Sequence, residues 1–303
     1  MLNGAEVALY LGALKATIEA PESWIAGEAS GVRGEATGSA AATHAAPVSP
    51  IPEGNWDVPV VVIGGGPGGE DCARDLADHG IKVMMVNNEP FPGGECLWRG
   101  CIPSKAWRAA ADVIRNRSHD AEIGVDGTQT PTLNWAQVEK HRRWVQTSRG
   151  DMALKADKGM KIDVREGYGE FVDAHTLKIT PVEGEPYTVS FGAAVIATGA
   201  PAFVPPIPGA RENLASGGVV TSDTIWNLAA PPKKMAIIGG GVIGVEMAQI
   251  FRDFGTEILV LERHERILGE IEEEIGKTLI GLLEKEISVV TNASIDSASG
   301  KSR

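Results

Sequence analysis

Residues 58–69 read Val-Pro-Val-Val-Val-Ile-Gly-Gly-Gly-Pro-Gly-Gly. The first six residues form a continuous apolar run, which is typical of a parallel strand that is buried on both faces. The glycines that follow contain the pattern G-x-G-x-x-G at Gly64, Gly66 and Gly69. This pattern gives a tight turn, lets a pyrophosphate approach the backbone and lets a helix pack closely on the strand. We therefore predict a dinucleotide-binding strand-turn-helix unit here.

The same unit recurs in the second half of the chain. Residues 235–238 form a short apolar run, and Gly239, Gly241 and Gly244 repeat the glycine pattern. A helix and a further strand at 258–261 are expected to follow. A single G-x-G-x-x-G is weak evidence, because glycine turns occur without ligands, but two copies in the same local context predict two dinucleotide sites. The predicted fold class is α/β, with two Rossmann-like domains in three layers and parallel sheets.

The end of the second strand in each unit is expected to bind a ribose, since an acid about 20 positions after the first glycine accepts bonds from ribose hydroxyls. In the second unit this residue is Glu262, which favours NAD over NADP. In the first unit it is Asn87, with Glu89 two residues later, so the usual acid is replaced. Glu70 and Asp71 open the first helix and would lie close to a pyrophosphate, where they would weaken its binding.

Composition excludes several classes of protein. The 303 residues carry 28 basic and 40 acidic side chains, a formal net charge of -12, which argues against a nucleic-acid partner. Three cysteines exclude a disulfide-stapled secreted scaffold. The sequence contains no run of about 18 apolar residues, so we predict a cytoplasmic protein that does not insert into a membrane. No metal site is predicted.

The N-terminal part differs in composition from the rest of the chain. Residues 7–14 are an apolar octet, which we expect to form a short docking helix, and residues 28–54 are rich in Ala, Gly, Ser, Thr and Pro. The latter composition buries too little surface to offset chain entropy. We therefore predict an extension with a flexible linker at 1–56, a first dinucleotide domain at 57–205 and a second, incomplete at its C-terminus, at 206–303.

Residues 93–105 read Gly-Gly-Glu-Cys-Leu-Trp-Arg-Gly-Cys-Ile-Pro-Ser-Lys. In a regular helix the Cα atoms of Cys96 and Cys101 would be roughly 8 Å apart, farther than a disulfide allows. The glycines and the proline would let the backbone deviate enough to bring the two thiols together. A cysteine pair with this close spacing indicates redox chemistry. The alternatives are half of a metal site and two cysteines that are buried by chance.

These motifs together resemble the flavin-dependent pyridine nucleotide–disulfide oxidoreductases of the dihydrolipoamide dehydrogenase and mercuric reductase group. The resemblance covers about residues 58–290 and includes Val-Ile-Ala-Thr-Gly-Ala-Pro at 195–201 and Gly-Val-Ile-Gly-Val-Glu at 241–246. It implies that the domain at 57–205 binds FAD and that the domain at 206–303 binds NAD(H).

The resemblance also implies roles for single residues. Cys96 would be the thiol that exchanges with the substrate, and Cys101 the thiol beside the flavin that forms a charge-transfer contact. Lys105 and Glu246 match a pair that such enzymes place near the flavin ring and the nicotinamide, and a buried pair of this kind would tune the flavin. The residues expected to bind the cofactors are Gly64, Gly66, Gly69, Asn87, Glu89, Gly94, Lys105, Ala197, Thr198, Gly199, Gly239, Gly241, Gly244 and Glu262.

The activity that the resemblance implies is electron transfer between NAD(H), FAD and a Cys96–Cys101 disulfide. The expected partner is a small disulfide or dithiol substrate or a lipoyl-type protein, and mercuric ion is the alternative substrate. Members of the family continue with a Gly-Asp motif and a dimerisation domain whose His–Glu pair serves the other subunit as acid–base. We expect a homodimer or a partner chain to supply that pair. Two alternatives stay open, a non-catalytic flavin- or nucleotide-binding module and a truncated fragment.

Two residues between the cysteines, Trp98 and Arg99, depart from the small or apolar residues that the family uses there. They would place a bulky, cationic pair at the mouth of the disulfide, where it would suit an acidic or aromatic partner. The alternative is that both side chains pack against the protein itself.

Overall fold

The computed structural model describes residues 51–127 and 131–298. The apolar octet at 7–14 and nearly all of the expected linker lie outside the described residues. The described residues form two α/β units, the first with a mixed sheet and the second with a parallel sheet. No helix within the described ranges is both long enough and apolar enough to cross a membrane.

Both units contain the strand-turn-helix-strand order that the glycine motifs predict. The first unit consists, in chain order, of β1 (Val58–Ile63), α1 (Pro67–Asp78), β2 (Val83–Asn87), α2 (Gly94–Trp98), α3 (Cys101–Ser118), a 3₁₀ turn (Asp120–Ile123), α4 (Trp135–Gly159), β3 (Asp163–Asp173), β4 (Thr176–Pro181) and β5 (Tyr187–Ile196). The second consists of a 3₁₀ turn (Ile225–Asn227), β6 (Lys234–Ile238), α5 (Val242–Asp253), β7 (Glu257–Leu261), α6 (Glu273–Leu283) and β8 (Ser288–Val290).

Strand β1 lies at the centre of the first sheet, parallel to β2 on one side and to β5 on the other. Val61 and Val62 are both fully buried, although successive residues of a strand point to opposite faces. Val62 packs in a cluster with Ala73 of α1, and Val61 packs in a second cluster with Leu177 and Phe191. The prediction of a strand that is buried on both faces is therefore confirmed.

The main difference from the predicted fold is an antiparallel segment in the first unit. Residues 163–166 of β3 pair in parallel with β2, but from Gly167 onward β3 pairs antiparallel with β4, and β4 pairs antiparallel with β5. The five strands thereby close into a barrel. A Cβ atom at Gly167 would lie 2.6 Å from the carbonyl oxygen of Thr180, so the residue where β3 changes partner has no room for a side chain.

The second unit has a three-stranded parallel sheet in the order β6-β7-β8. Helix α5 buries Ile250 and Phe251 completely against it. The same core contains Trp107 and Ala111 of α3, which belong to the first unit and are also fully buried. Helix α3, which begins at Cys101, is therefore packed into both units.

Ion pairs reinforce this junction between α3 and the second unit. Arg108 and Arg115 of α3 both pair with Asp253, whose side chain is fully buried at the end of α5. Arg115 also lies 2.9 Å from a carboxylate oxygen of Glu286, and its hydrogen bond lowers the pKa of that carboxyl group. Helix α3 is thus held against the second unit by apolar packing and by ion pairs.

Candidate functional site

The first glycine loop joins β1 to α1 and lies against two other backbone segments. A Cβ atom at Gly64 would lie 2.1 Å from the carbonyl oxygen of Ala197, and one at Gly69 would lie 1.9 Å from that of Gly64. Across the loop, a Cβ atom at Gly94 would lie 2.5 Å from the Cα atom of Gly66, and Gly94 has a φ of 50°. Three of the segments expected to bind the first cofactor therefore meet here, and their contacts require glycine.

This loop fits a pyrophosphate. Pro67 is the first residue of α1, and the amides in the first turn of a helix have no intrahelical acceptor, so they can donate to an anion. The bare backbone of Gly66 and Gly94 leaves room for a close approach of the ligand. Thr198 and Gly199 come after Ala197, the first residue beyond β5, and are exposed.

The residues at the end of β2 lie next to the same loop. Asn87 is buried, its side-chain amide donates to the carbonyl oxygen of Glu89 at 2.6 Å, and a Cβ atom at Gly65 would lie 2.8 Å from its Oδ1. Asn87 is therefore placed where its amide oxygen can accept a bond from a ribose hydroxyl. The carboxylate of Glu89 accepts a hydrogen bond of 2.6 Å from Arg99, so one of its oxygens is already used.

The two acids at the start of α1 were expected to weaken the binding of a pyrophosphate, but one of them is paired inside the protein. Glu70 is buried and pairs with Arg74, which also donates to the buried Asp157 of α4 at 2.7 Å. Burial, followed by the nearby charge of Asp157, raises the pKa of Glu70. Because the carboxyl group is paired and less readily ionised, it repels a pyrophosphate less than expected. Asp71 is exposed.

The second glycine loop, between β6 and α5, has the same tight construction. A Cβ atom at Gly244 would lie 2.1 Å from the carbonyl oxygen of Gly239, which has a φ of 104°. Gly241 is the N-cap of α5. The buried Glu262 accepts hydrogen bonds of 2.8 Å from the amides of Gly240 and His264. The carboxylate thus lies on the loop, and each oxygen keeps a lone pair that a ribose hydroxyl can use.

The two cysteines meet at a break between helices. Cys96 lies in α2, Cys101 is the first residue of α3, and Gly100 between them has φ and ψ of -133° and -105°. Both are thiols in the structure. Burial and then a hydrogen bond with the side chain of Cys101 raise the pKa of Cys96 to about 12. The backbone therefore deviates from a regular helix, and this deviation brings the side chains into contact.

Lys105 lies one helical turn after Cys101 and pairs with Glu246 of α5, with 2.5 Å between Nζ and Oε1. The structure therefore brings these two residues together across the junction of the units. The side chain of Lys105 is 64% exposed and that of Glu246 is 32% exposed. The pair lies on one side of α3, whereas Trp107 on the other side of the helix enters the core.

The residues between the cysteines pack against the protein itself. Arg99 donates to Glu89 at 2.6 Å and to Glu95 at 2.7 Å. Trp98 stacks on Phe91, with ring centroids 6.3 Å apart, and donates to its carbonyl oxygen at 3.2 Å. The packing alternative is therefore the correct one. The Glu95–Arg99 pair has the i,i+4 spacing of helix neighbours, which is a signal for it in the sequence.

Sequence reasoning missed three polar residues of α4. Glu139, Arg142 and Gln146 are at most 5% exposed, and the side-chain amide of Gln146 donates to the carbonyl oxygens of Leu97 and Trp98 at 2.8 and 3.0 Å. Polar residues at this spacing usually form the solvated face of a helix. The sequence pattern of α4 therefore gives no indication that these residues contact the cysteine segment.

Comparison with known proteins shows similarity over most of the chain. Residues 58–303 match the family described as pyridine nucleotide-disulphide oxidoreductase. The dihydrolipoyl dehydrogenase of Acholeplasma laidlawii is 34% identical over 239 residues, which cover 78% of this chain and 69% of that protein. The dihydrolipoyl dehydrogenase of Chlamydia trachomatis serovar D is 36% identical over 72% of this chain and 46% of its own length.

Solved structures give the same result. The HOCl-induced flavoprotein disulfide reductase RclA from Escherichia coli is 26% identical, with a TM-score of 0.66 over 79% of this chain and 50% of that one. The chain spans about half the length of most of the relatives that it matches. The family description names a pyridine nucleotide and RclA is titled a flavoprotein, which agrees with the predicted cofactors NAD and FAD. The α/β fold class is confirmed, and the chain belongs to the pyridine nucleotide-disulfide oxidoreductase family.

Proposed function

We propose that the chain is a FAD-dependent oxidoreductase that passes electrons between NAD(H), the flavin and the Cys96–Cys101 pair. The observation that carries the proposal is that the cysteine segment contacts both glycine-loop regions. Gly94, at the start of α2, touches Gly66 of the first loop. Lys105, one turn after Cys101, pairs with Glu246, which follows the last glycine of the second loop by two residues.

In this proposal the domain at 57–205 holds FAD and the domain at 206–303 holds NAD(H). The residues proposed to hold FAD are Gly64, Gly66, Gly69, Asn87, Glu89, Gly94, Lys105, Ala197, Thr198 and Gly199. The residues proposed to hold NAD(H) are Gly239, Gly241, Gly244 and Glu262. When bound, FAD accepts two electrons from the nicotinamide as a hydride and makes them available to the disulfide.

The cysteines carry the electrons onward. Reduction of the Cys96–Cys101 disulfide takes up two electrons and two protons, and the dithiol returns them when it reduces a substrate disulfide. Cys96 is the proposed exchange thiol and Cys101 the thiol beside the flavin. Burial and the contact with Cys101 raise the pKa of Cys96, which disfavours the thiolate that attacks a disulfide. A proton acceptor beside Cys96 would favour that thiolate.

The described part of the chain supplies no histidine for that purpose at the thiols. His79 contacts Asp75, His119 contacts Glu122, and His175 contacts the carbonyl oxygen of Phe191. His141 stacks on Trp144, and His264 contacts Arg263. We propose that a second copy or a partner chain supplies a His–Glu pair as acid–base.

We further propose a small disulfide or dithiol, or a lipoyl-type protein, as the substrate, because curated relatives carry the name dihydrolipoyl dehydrogenase. The reaction class would be oxidation of sulfur groups with NAD as the acceptor. A cytoplasmic location stays a prediction.

Reconstitution with FAD tests the proposal. Purified protein that has been mixed with FAD and passed through a desalting column should retain flavin absorbance, and NADH added without oxygen should bleach it. The Cys96→Ser variant should bind FAD as well as the wild type does, because Cys96 is assigned to thiol exchange and not to binding. Loss of all flavin on the column, or flavin that NADH leaves oxidised, would overturn the proposal.

A further inference from the structure

We propose that Gln146, Arg142 and Glu139 of α4 form a positioning relay for the redox dithiol. The relay holds the backbone between the two cysteines, and through it the distance between their sulfur atoms. The inference rests on the redox role proposed for Cys96 and Cys101.

The break between α2 and α3 leaves backbone carbonyl groups without an intrahelical hydrogen bond, so they need donors from other parts of the protein. The last carbonyls of a helix have no intrahelical partner, and α2 ends at Trp98. The amide of Gln146 donates to the carbonyl oxygens of Leu97 and Trp98 at 2.8 and 3.0 Å. The indole N–H of Trp226 is shared between the carbonyl oxygen of Ser222 at 2.7 Å and that of Arg99 at 3.2 Å. Three consecutive carbonyls between the cysteines are thus held by side chains from outside the segment.

The relay fixes which way the amide of Gln146 points. A guanidinium can only donate, so the 2.6 Å contact between Arg142 and Gln146 must end on the amide oxygen. The amide nitrogen then faces Leu97 and Trp98. Because Arg142 binds the amide oxygen, the amide nitrogen of Gln146 is the group that donates to the cysteine segment. The flipped amide, with its oxygen towards Leu97 and Trp98, is excluded.

Glu139 in turn fixes Arg142 and ties the relay to α3. Its carboxylate accepts two hydrogen bonds from Arg142, at 2.9 and 2.6 Å, and one of 2.8 Å from the indole of Trp107. Trp107 lies on α3, six residues after Cys101. The guanidinium also lies 6.0 and 5.8 Å from the ring centroids of Trp107 and Trp226. The relay therefore contacts the helix of the second cysteine as well as the carbonyls after the first.

The relay is buried, so water does not replace a lost donor readily. Glu139, Arg142 and Gln146 are 5%, 5% and 3% exposed. A carbonyl that is left without a partner at such a site favours a shift of the local backbone towards solvent or another donor. A shift of residues 97–99 moves Cys96 relative to Cys101 and lowers the effective concentration of one thiol at the other.

The test is the equilibrium between the Cys96–Cys101 dithiol and a dithiothreitol buffer. Closing the disulfide forms one S–S bond and transfers two electrons and two protons from the protein to oxidised dithiothreitol, which is reduced. Protein equilibrated at a series of buffer ratios is alkylated under denaturing conditions, and mass spectrometry counts the alkylated Cys96 and Cys101.

Two variants isolate the donation by Gln146. Gln146→Met keeps the volume of the side chain and removes both hydrogen-bonding groups, whereas Gln146→Glu keeps an acceptor for Arg142 and removes only the donor. Both should lower the equilibrium constant for disulfide closure by about tenfold, because a displaced backbone lowers the effective concentration of one thiol at the other. Trp135→Phe is the matched control, because Trp135 belongs to the same aromatic cluster and donates to Leu228 instead. It should stay within about twofold of the wild type.

Each outcome decides a different claim. Unchanged equilibria in both Gln146 variants, in protein that still unfolds cooperatively, would overturn the positioning role and leave the proposed function intact. An equal shift in Trp135→Phe would also overturn it, since core packing alone would then explain the effect. A wild type that forms no Cys96–Cys101 disulfide at any buffer ratio would overturn the proposed function and the relay with it.

Discussion

Lys105 and Glu246 form an ion pair of 2.5 Å between helix α3, which begins at Cys101, and helix α5, which follows the second glycine loop. Its position makes it the natural first target for mutation.

Replacing Glu246 by Gln should slow reduction of the bound flavin by NADH by about tenfold or more, because a charge beside the reacting groups is lost. The free energy of unfolding should change by less than about 1 kcal/mol, since exposed ion pairs contribute little to stability. Stopped-flow absorbance and urea unfolding measure the two effects.

The control for this prediction is Glu257→Gln. Glu257 pairs with Lys234 at 2.8 Å on the surface of the second unit, where both side chains are more than two-thirds exposed. Its variant should leave flavin reduction unchanged. Equal rates in the Glu246 and Glu257 variants would show that the Lys105–Glu246 pair has no part in the reaction.

Two neighbouring glycines of the first loop, Gly68 and Gly69, should differ in how well they tolerate an added methyl group. A Cβ atom at Gly69 would lie 1.9 Å from the carbonyl oxygen of Gly64, whereas one at Gly68 has nothing within 4 Å. Gly69→Ala should therefore weaken FAD binding by at least about tenfold, since the loop must open to admit the methyl group. Gly68→Ala should bind FAD nearly as the wild type does. Equilibrium dialysis measures both, and equal affinities would contradict the loop assignment.

Much of the site could be predicted from sequence because its determinants are local. The glycine loops follow apolar strands directly, and spacing predicted Glu262 as the acid near the end of the strand after the second loop. The structure adds that Glu262 accepts from the amide of Gly240. Cys96 and Cys101 are similar, since the glycine between them predicted the helix break. The antiparallel pairing of β3 with β4 was not predicted, because β3 changes partner in mid-strand and the change depends on contacts between distant residues.

The side chains that contact the cysteine segment from α4 could not be predicted from the sequence. Gln146 lies far along the chain from Leu97, and nothing local distinguishes its amide from one on a solvated helix face. Spacing within one helix identifies Glu95 as a neighbour of Arg99, whereas Glu89 reaches Arg99 only through the fold.

The reactivity of Cys96 should follow its raised pKa. Burial and the contact with Cys101 raise the pKa from 9.0 to about 12, so the reduced protein favours the neutral thiol. At pH 8 the thiolate fraction of Cys96, and with it the rate of alkylation by iodoacetamide, should be about a thousandfold below that of an unperturbed thiol. The rate should rise steadily with pH until about pH 12, with N-acetylcysteine as the reference.

The same shift has a consequence for stability. Because the folded pKa exceeds the unfolded one, the stabilisation by the neutral thiol is fully present below about pH 9 and is lost as the pH rises towards 12. Cys96→Ser should therefore show a smaller loss of stability over this range than the wild type, measured by urea unfolding of the reduced proteins. Rapid alkylation of Cys96 at neutral pH would contradict both statements.

The two cysteines should differ in their contact with the flavin. In FAD-loaded protein whose flavin is oxidised, the Cys96→Ser variant should show long-wavelength charge-transfer absorbance without any NADH, because Cys101 is the thiol assigned to the flavin side and can no longer be held in a disulfide. Cys101→Ser should abolish it. Persistence of the band in Cys101→Ser would reverse the assignment of the two thiols.

Electrons from NADH should reach the Cys96–Cys101 disulfide, and a count of alkylated thiols measures this transfer. Oxidised, FAD-loaded protein is treated without oxygen with two equivalents of NADH, enough for the flavin and the disulfide, and is then alkylated under denaturing conditions for mass spectrometry. Cys96 and Cys101 should become alkylated together in the treated sample only. Flavin that is fully reduced while the Cys96–Cys101 disulfide stays intact would contradict this prediction.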